Sequence, residues 1–255
     1  MTRASTSLWP ALCAKARVPS EPTDIGPGYQ GFAMLNSFDY GGKEADTVHA
    51  LEEDIIFGRL APGERLVEDV LLARFPVSRH TIRQALYQLE KLGIVTRERN
   101  KGAMVRRLSP DEVRQIYEVR EMLQRQAALM IRLPASEALI AELTEIHRIY
   151  SGHVDAGYLR GIHEANDRFH LTMFSACGNA YLVSSIEHYM RLSLPVRANS
   201  LADKEKLDVS RQHHRMMIEA MKRRDNWVLA QLCVDHLQPS KVFYLQEIET
   251  AAGAG

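Results

Sequence analysis

Residues 76–105, PVSRHTIRQALYQLEKLGIVTRERNKGAMV, decide how the first part of this chain folds. Ser78 is a good N-cap, and the apolar residues that follow recur at helical spacing until Gly93, which ends the helix. Two short β-strand patterns come next, separated by a basic Asn-Lys-Gly turn at 100–102. Helix, glycine, strand, basic turn and strand in this order predict a winged helix-turn-helix.

Basic residues are concentrated in this stretch, although the whole chain carries 32 basic and 32 acidic residues. Residues 74–107 hold nine Lys or Arg against two acids, whereas residues 44–73 hold two arginines against eight acids. A solvated helical face would not explain basic charge at both the helix start and the hairpin tip. Such a patch neutralises nucleic-acid phosphates. The first turns of a recognition helix contact DNA, and here they carry Ser78, Arg79, His80, Thr81 and Arg83.

The same region resembles the DNA-binding domain of the GntR superfamily of bacterial transcription regulators. The resemblance rests on several features in order: Gly-x-Leu-x-Pro-Gly-x-x-Leu at 58–66, Val-Ser-Arg at 77–79, Arg-Gln-Ala-Leu at 83–86 and a wing glycine at 102. None of these is specific alone, but together at these spacings they are.

This resemblance implies sequence-specific binding to double-stranded DNA. Arg79 and Arg83 would contact DNA from the recognition helix, while Lys101 and Gly102 would reach the adjacent minor groove. Asp69 stands where many members carry an arginine, so no DNA contact is assigned to it. Because one winged helix reads few base pairs, we expect a homodimer on an inverted-repeat operator.

Helical periodicity dominates the rest of the chain. Ser109 and Pro110 begin a helix as its cap and first residue, and no later run alternates with period two for long. About six antiparallel helices are expected, enough to bury a real core. The predicted fold is therefore mainly α, with an N-terminal winged helix-turn-helix, whose wing is a small β-hairpin, and a C-terminal all-α antiparallel helical bundle.

Four segments follow from these patterns: a disordered tail at 1–42, the winged helix-turn-helix at 43–108, the helical bundle at 109–246 and a second tail at 247–255. The first tail is rich in Pro and Gly and lacks an apolar period. No run is long enough to span a membrane, and the three scattered cysteines favour reduced thiols, so a cytoplasmic location is expected.

The helical bundle resembles the FCD effector-binding domain of the FadR-like branch of GntR regulators. The motifs that carry this resemblance are Tyr-Glu-Val-Arg at 117–120, Arg-Phe-His at 168–170, the helix 214–220 and Asp-His-Leu at 235–237. It implies a homodimer whose helical domain often holds a divalent metal beside a small carboxylate effector.

One helical face carries polar residues at i, i+3, i+4 and i+7: His163, Asn166, Asp167 and His170. At about 100° per residue, Asn166 and His170 lie on the apolar, inward side and Asp167 lies toward solvent. The resemblance gives the metal ligands as Asn166, His170, His214 and His236. Three imidazoles and an oxygen suit zinc, nickel or manganese.

Asn166 departs from the aspartate that most metal-binding members carry, and an amide oxygen binds a metal more weakly than a carboxylate. The alternative is that the three histidines are hydrogen-bonded core residues. His213 is expected on the surface. The remaining histidines of the domain are expected to have no special role: His147, His153, His163 and His188.

Arg120 is the candidate effector-binding residue, on the inward side of the first helix of the bundle. A guanidinium there suits bidentate binding of a carboxylate, and the alternative is a structural arginine paired with a buried acid. The predicted function is a DNA-binding transcription regulator, a repressor and not an enzyme, that responds to a small carboxylate. The alternative is a metal-dependent hydrolase domain fused to a nucleic-acid-binding module, which lacks an evident general base.

Overall fold

The computed structural model describes residues 42–98, 102–198, 201 and 203–253. The tail expected before residue 42 and the DNA contact expected at Lys101 lie outside these residues. The described chain forms two compact units that divide between Arg106 and Arg107. No described helix is long and apolar enough to cross a membrane.

The described residues of the first unit form three helices and three strands. In chain order these are α1 (Gly42–Ile56), β1 (Arg65–Leu66), α2 (Glu68–Arg74), α3 (Arg79–Lys91), β2 (Val95–Glu98) and β3 (Gly102–Val105). The sheet order is β1-β3-β2 and both pairings are antiparallel, with Val95 opposite Val105 and Arg65 opposite Met104. The predicted winged helix-turn-helix is confirmed, and β1 adds a third strand to the wing.

Local sequence explains how α3 begins and what it buries. The Ser78 hydroxyl accepts a hydrogen bond from the Thr81 backbone N–H at 3.1 Å, as an N-cap does. Ile82, Leu86 and Leu89 are buried against the rest of the unit, and each contributes about 1.5–3 kcal/mol by leaving water. The opposite side of the first turns is left for contacts with other molecules.

The second unit is entirely helical in its described residues. Its helices are α4 (Pro110–Met130), α5 (Glu137–Ala156), α6 (Leu159–Ser175), α7 (Ala180–Leu192), α8 (Leu194–Ala198), α9 (Lys204–Lys222), α10 (Asn226–Asp235) and α11 (Gln238–Gly253). The all-α bundle is confirmed, but these eight segments exceed the expected six. Pro195 and Pro239 sit near the starts of α8 and α11, where proline can begin a helix but cannot continue one. The last helix also runs past Gln246, where the bundle was expected to end.

The start of α4 is built as its sequence predicts. Ser109 accepts from the Glu112 backbone N–H at 3.2 Å, while the Glu112 carboxylate accepts from the Ser109 backbone N–H at 2.9 Å. This capping box fixes the direction in which α4 enters the bundle. The core that α4 shares with α6, α7, α9 and α10 includes the large apolar side chains Phe169, Phe174, Met217, Met221 and Leu229.

Candidate nucleic-acid interface and candidate metal centre

The first turns of α3 expose the residues expected to contact DNA. Arg79, His80 and Arg83 are exposed, whereas Thr81 is half-buried and its hydroxyl lies 2.9 Å from the hydroxyl of the capping Ser78. These five side chains therefore occupy one end of one helix.

Two acids of α2 hold the arginines of α3. Arg79 donates to Asp69 Oδ1 at 2.7 Å and to Glu68 Oε2 at 3.4 Å, and the Arg83 Nε donates to both Glu68 oxygens at 3.0 Å. The hydrogen bond and charge of Asp69 raise the pKa of Arg79, and the hydrogen bond from Arg83 lowers the pKa of Glu68. The sequence showed these acids only as part of an acidic run, because their partners are ten or more residues away.

Gly102 is the first residue of β3 and has a φ of 79°. A residue with a Cβ would be strained in this left-handed conformation, so glycine is favoured at the start of β3. Arg65 side-chain atoms lie 4.0 Å from the position that a Cβ would take.

Three histidines of the second unit converge as the resemblance implied. His170 lies on α6, His214 on α9 and His236 at the end of α10. The His170 Nε2 is 2.9 Å from the His236 Nε2 and 3.3 Å from the His214 Nε2. His170 and His214 are buried and His236 is half-buried.

Aromatic packing fixes the position of His214. Phe169 stacks on its ring at a centroid distance of 4.2 Å, and Tyr150 contacts its edge at 4.8 Å. All three side chains are fully buried. Apolar contacts on two sides leave the Nε2 atom as the polar edge of His214 that meets the other histidines.

Burial keeps the cluster neutral. It lowers the pKa of His170 to about 3, and it lowers the pKa values of His214 and His236 well below the usual range. The charged form is disfavoured since a buried imidazolium loses its hydration. Neutral imidazoles retain the lone pairs that metal ions need.

The distances within the cluster fit one divalent ion. Two nitrogens that each lie about 2.0–2.1 Å from one zinc ion are about 2.9–3.4 Å apart. An imidazole nitrogen carries either a proton or a lone pair, so the His170 Nε2 cannot donate to one neighbour while accepting from the other. The Nδ1 atoms of all three residues are buried without a hydrogen-bond partner among the described residues. An ion among the three Nε2 atoms would be held by their lone pairs and would need no proton between them.

Asn166 lines the same cavity as His170 and His236, whereas Asp167 does not line it and has a side chain that is 27% exposed. Asp167 is ion-paired with Arg197 and lies 3.7 Å from His163. Burial raises the pKa of Asp167, but the charge and hydrogen bond of Arg197 outweigh it and hold that pKa below the usual range. The Asn166 amide donates to Asp167 at 3.0 Å, a contact that does not use its carbonyl oxygen.

A cavity of about 80 Å³ adjoins the histidines, and Arg120 of α4 lines it. The Arg120 side chain is buried, and its Nε and Nη1 atoms have no hydrogen-bond partner among the described residues. Burial lowers its pKa to about 10, which still leaves it charged at neutral pH. The Tyr117 ring lies 4.9 Å from the guanidinium, and this cation–π contact offsets part of the cost of burying the charge.

Sequence reasoning missed several residues of this cavity. His213 was expected on the surface, but it is half-buried, lines the cavity and lies 5.8 Å from His236 between ring centroids. His163, expected to have no role, also lines the cavity. Arg197, Lys206 and other polar residues reach it from separate helices, and no local sequence pattern identifies them.

Comparison with known families accounts for both units. A family model described as bacterial regulatory proteins, gntR family, matches residues 43–105, and an FCD domain model matches residues 115–239. The chain belongs to the GntR family. It is thus a transcription regulator with a DNA-binding winged helix and an FCD domain.

Similar transcriptional regulators occur in bacteria. The HTH-type transcriptional regulator YdhC of Bacillus subtilis is 27% identical over 73% of this chain and 84% of its own length. The HTH-type transcriptional repressor RspR of Escherichia coli is 26% identical over 74% of this chain and 82% of its own length.

Solved structures show the same fold. The structure titled E. coli McbR/YncC aligns with a TM-score of 0.70 at 18% identity, covering 82% of this chain and all of that chain. A GntR regulator from Rhodococcus sp. RHA1 aligns with a TM-score of 0.67 at 20% identity, covering 80% of this chain and 98% of that chain.

Proposed function

We propose that this GntR regulator is a repressor that binds an inverted-repeat operator as a homodimer. A small carboxylate bound beside a divalent metal in the FCD domain changes its affinity for that operator. The observation that carries the proposal is Arg120, a buried guanidinium in a cavity that also contains His170 and His236.

The exposed arginines of α3 support the DNA-binding part. Arg79 and Arg83 stand at the start of a helix whose other face is buried, as in a recognition helix. A second copy of the chain would supply the second half-site, so two-fold symmetry in the protein predicts an inverted repeat in the operator. RspR of Escherichia coli, a protein similar to this chain over most of its length, is named a transcriptional repressor.

The donor set supports a divalent metal held by Asn166, His170, His214 and His236. Zinc, nickel and manganese accept imidazole nitrogens with an amide oxygen, and remaining coordination positions would be open to a ligand. Because none of these four residues carries negative charge, the ion would keep its full double charge. A centre of this kind attracts anions.

The chemistry of the cavity indicates a carboxylate effector. Arg120 offers N–H groups without protein partners, and a guanidinium binds a carboxylate through two parallel hydrogen bonds. A buried charge without a partner is costly, and a bound anion would repay that cost. The cavity volume of about 80 Å³ fits a small molecule better than a long acyl chain.

The residues around the cavity leave the hydrolase alternative without a carboxylate general base. Among the described residues that line it there is no Asp or Glu. The nearby Asp167 is ion-paired with Arg197 and is not among the lining residues. We therefore infer that the FCD domain senses a ligand and does not catalyse a reaction.

Three measurements test this function. Selection of bound molecules from a pool of random-sequence duplexes should yield an inverted repeat, and light scattering should show a dimer at micromolar concentration. Mobility shifts on the selected duplex, with zinc and a panel of sugar acids, hydroxy acids, dicarboxylates and amino acids, should reveal a compound that changes binding. A monomer both free and on DNA contradicts the dimer, and a panel without any effect contradicts the effector.

A further inference from the structure

Asp69 is the most exposed acid beside the recognition helix. Its side chain is 77% exposed, and its Oδ1 accepts from Arg79 at 2.7 Å, across the two helices α2 and α3. Exposed ion pairs add little to folding stability. The Asp69–Arg79 pair therefore has little structural purpose, and it stands on the surface that would meet DNA.

Glu68 has a different arrangement from its neighbour. Its carboxylate is 30% exposed, and both of its oxygens accept from the Arg83 Nε. The contact of Asp69 with Arg79 uses only Oδ1. Asp69 is thus the acid of α2 that has both the exposure and an additional oxygen with which to accept a hydrogen bond from DNA.

We propose that Asp69 and Arg79 together read one G·C base pair in the major groove. Arg79 donates to the guanine N7 and O6 atoms, and the Asp69 carboxylate accepts from the cytosine N4 amino group. The inference rests on the recognition role of α3 proposed above. It gives a specificity role to Asp69, a position at which the sequence resemblance assigned no contact.

The order of donors and acceptors favours this base pair. A guanine–cytosine pair presents two acceptors followed by a donor along its major-groove edge, which an adjoining guanidinium and carboxylate match. An adenine–thymine pair presents thymine O4, an acceptor, where the carboxylate would sit. Two acceptors facing each other repel, so the pair of side chains should reject that sequence.

The test is selection from a random-sequence duplex pool by the full-length protein. The parent is compared with Asp69→Asn, Asp69→Ala and Arg79→Ala. Asp111→Asn is the matched control, because Asp111 is also an exposed acid, 2.7 Å from an arginine, and lies in the other unit. Thermal melting of each variant verifies that it is folded.

The parent and the Asp111→Asn control should select a motif with an invariant G·C pair in each half-site. Replacing that pair by A·T should weaken the parent about five- to 150-fold, the range of a specific base contact. The same replacement should cost both Asp69 variants clearly less than it costs the parent, because they keep the guanine contact of Arg79 but lose the carboxylate that accepts from cytosine N4 and repels thymine O4.

Two results would overturn the inference alone. In one, the Asp69 variants select the same motif with the same stringency while Arg79→Ala loses it, so that Asp69 reads nothing. In the other, they bind every duplex more tightly with an unchanged motif, so that Asp69 only repels phosphates. A parent that selects no motif would overturn the recognition role of α3 as well.

Discussion

The two units of the molecule build their candidate sites in opposite ways. In the DNA-binding unit, the candidate DNA contacts among residues 78–83 lie within two turns of one helix, and all but Thr81 are exposed. In the FCD unit, His170, His214 and His236 come from three helices and meet in the interior. A surface site formed by neighbours in sequence can be recognised from a local pattern, whereas a buried site depends on long-range packing.

Metal removal should produce the largest effect, and it should be confined to the FCD unit. Binding at a thousandfold excess over the dissociation constant stabilises the folded state by about 4.1 kcal/mol, since the unfolded chain lacks the site. We expect a chelator to lower the melting temperature and His214→Ala to abolish the response to zinc. Scanning calorimetry would measure both.

The exposed His188, in the same unit, provides the matched control for that experiment. His188→Ala should keep the full response to zinc. A melting temperature that is indifferent to zinc, nickel and manganese would leave the three histidines as core residues. The FCD unit would then have no buried metal site to contrast with the exposed DNA contacts of the other unit.

Loss of either recognition arginine should have the next largest effect. Arg79→Ala and Arg83→Ala should each weaken binding to the selected duplex about five- to 150-fold, the value of a bidentate base contact. Arg148→Ala removes an arginine that is similarly exposed and ion-paired but lies in the FCD unit, and it should bind like the parent. Fluorescence anisotropy would measure all three, and parental affinity in both α3 variants would refute the assignment.

Changing the amide ligand should have a moderate effect. Asn166→Asp should tighten zinc binding by on the order of tenfold, because a carboxylate adds a charge that the amide lacks. The neighbouring Asp167, already paired with Arg197, limits this gain by charge repulsion. Competition with a chromophoric chelator would measure the affinity, and an unchanged value would exclude residue 166 from the ligand set.

A phosphate contact should produce the smallest effect. If Lys101 contacts only the backbone of DNA, Lys101→Ala should weaken binding equally on all duplexes and reduce the slope of log affinity against log salt by about 0.9. Binding isotherms at several salt concentrations would show this. A change in the selected sequence would instead mean that Lys101 reads bases.

How much of the fold was predictable differs between the same two regions. Ser78 and Ser109 cap α3 and α4 as predicted. These helix starts could be predicted because capping involves only residues that are close in sequence. The eight helical segments were undercounted because short helices such as α8 lack a full apolar period. The ion pair between Asp167 and Arg197 was not predicted, since the two residues lie on different helices and 30 positions apart.

The candidate site residues that could be predicted from sequence also depend on local patterns, and the others depend on long-range packing. The candidate DNA contacts could be listed from sequence, but the acids that hold them could not, because Asp69 meets Arg79 only in the folded helix pair. The three histidines were located through family resemblance, and the inward placement of His213 depends on how α9 packs beside the end of α10. Long-range geometry of this kind leaves no local sequence signal.

The central claim is that a carboxylate held by Arg120 controls DNA binding. The most direct test is anisotropy of the selected duplex with zinc-loaded parent and with Arg120→Met, titrated with the compound that shifts the parent. We predict a change of about five- to 150-fold in the parent, the usual range of allosteric coupling, and none in Arg120→Met. The variant should remain as stable as the parent or more so, because it loses a buried charge whose Nε and Nη1 atoms have no hydrogen-bond partner among the described residues. An undiminished response in a folded Arg120→Met protein would contradict the claim.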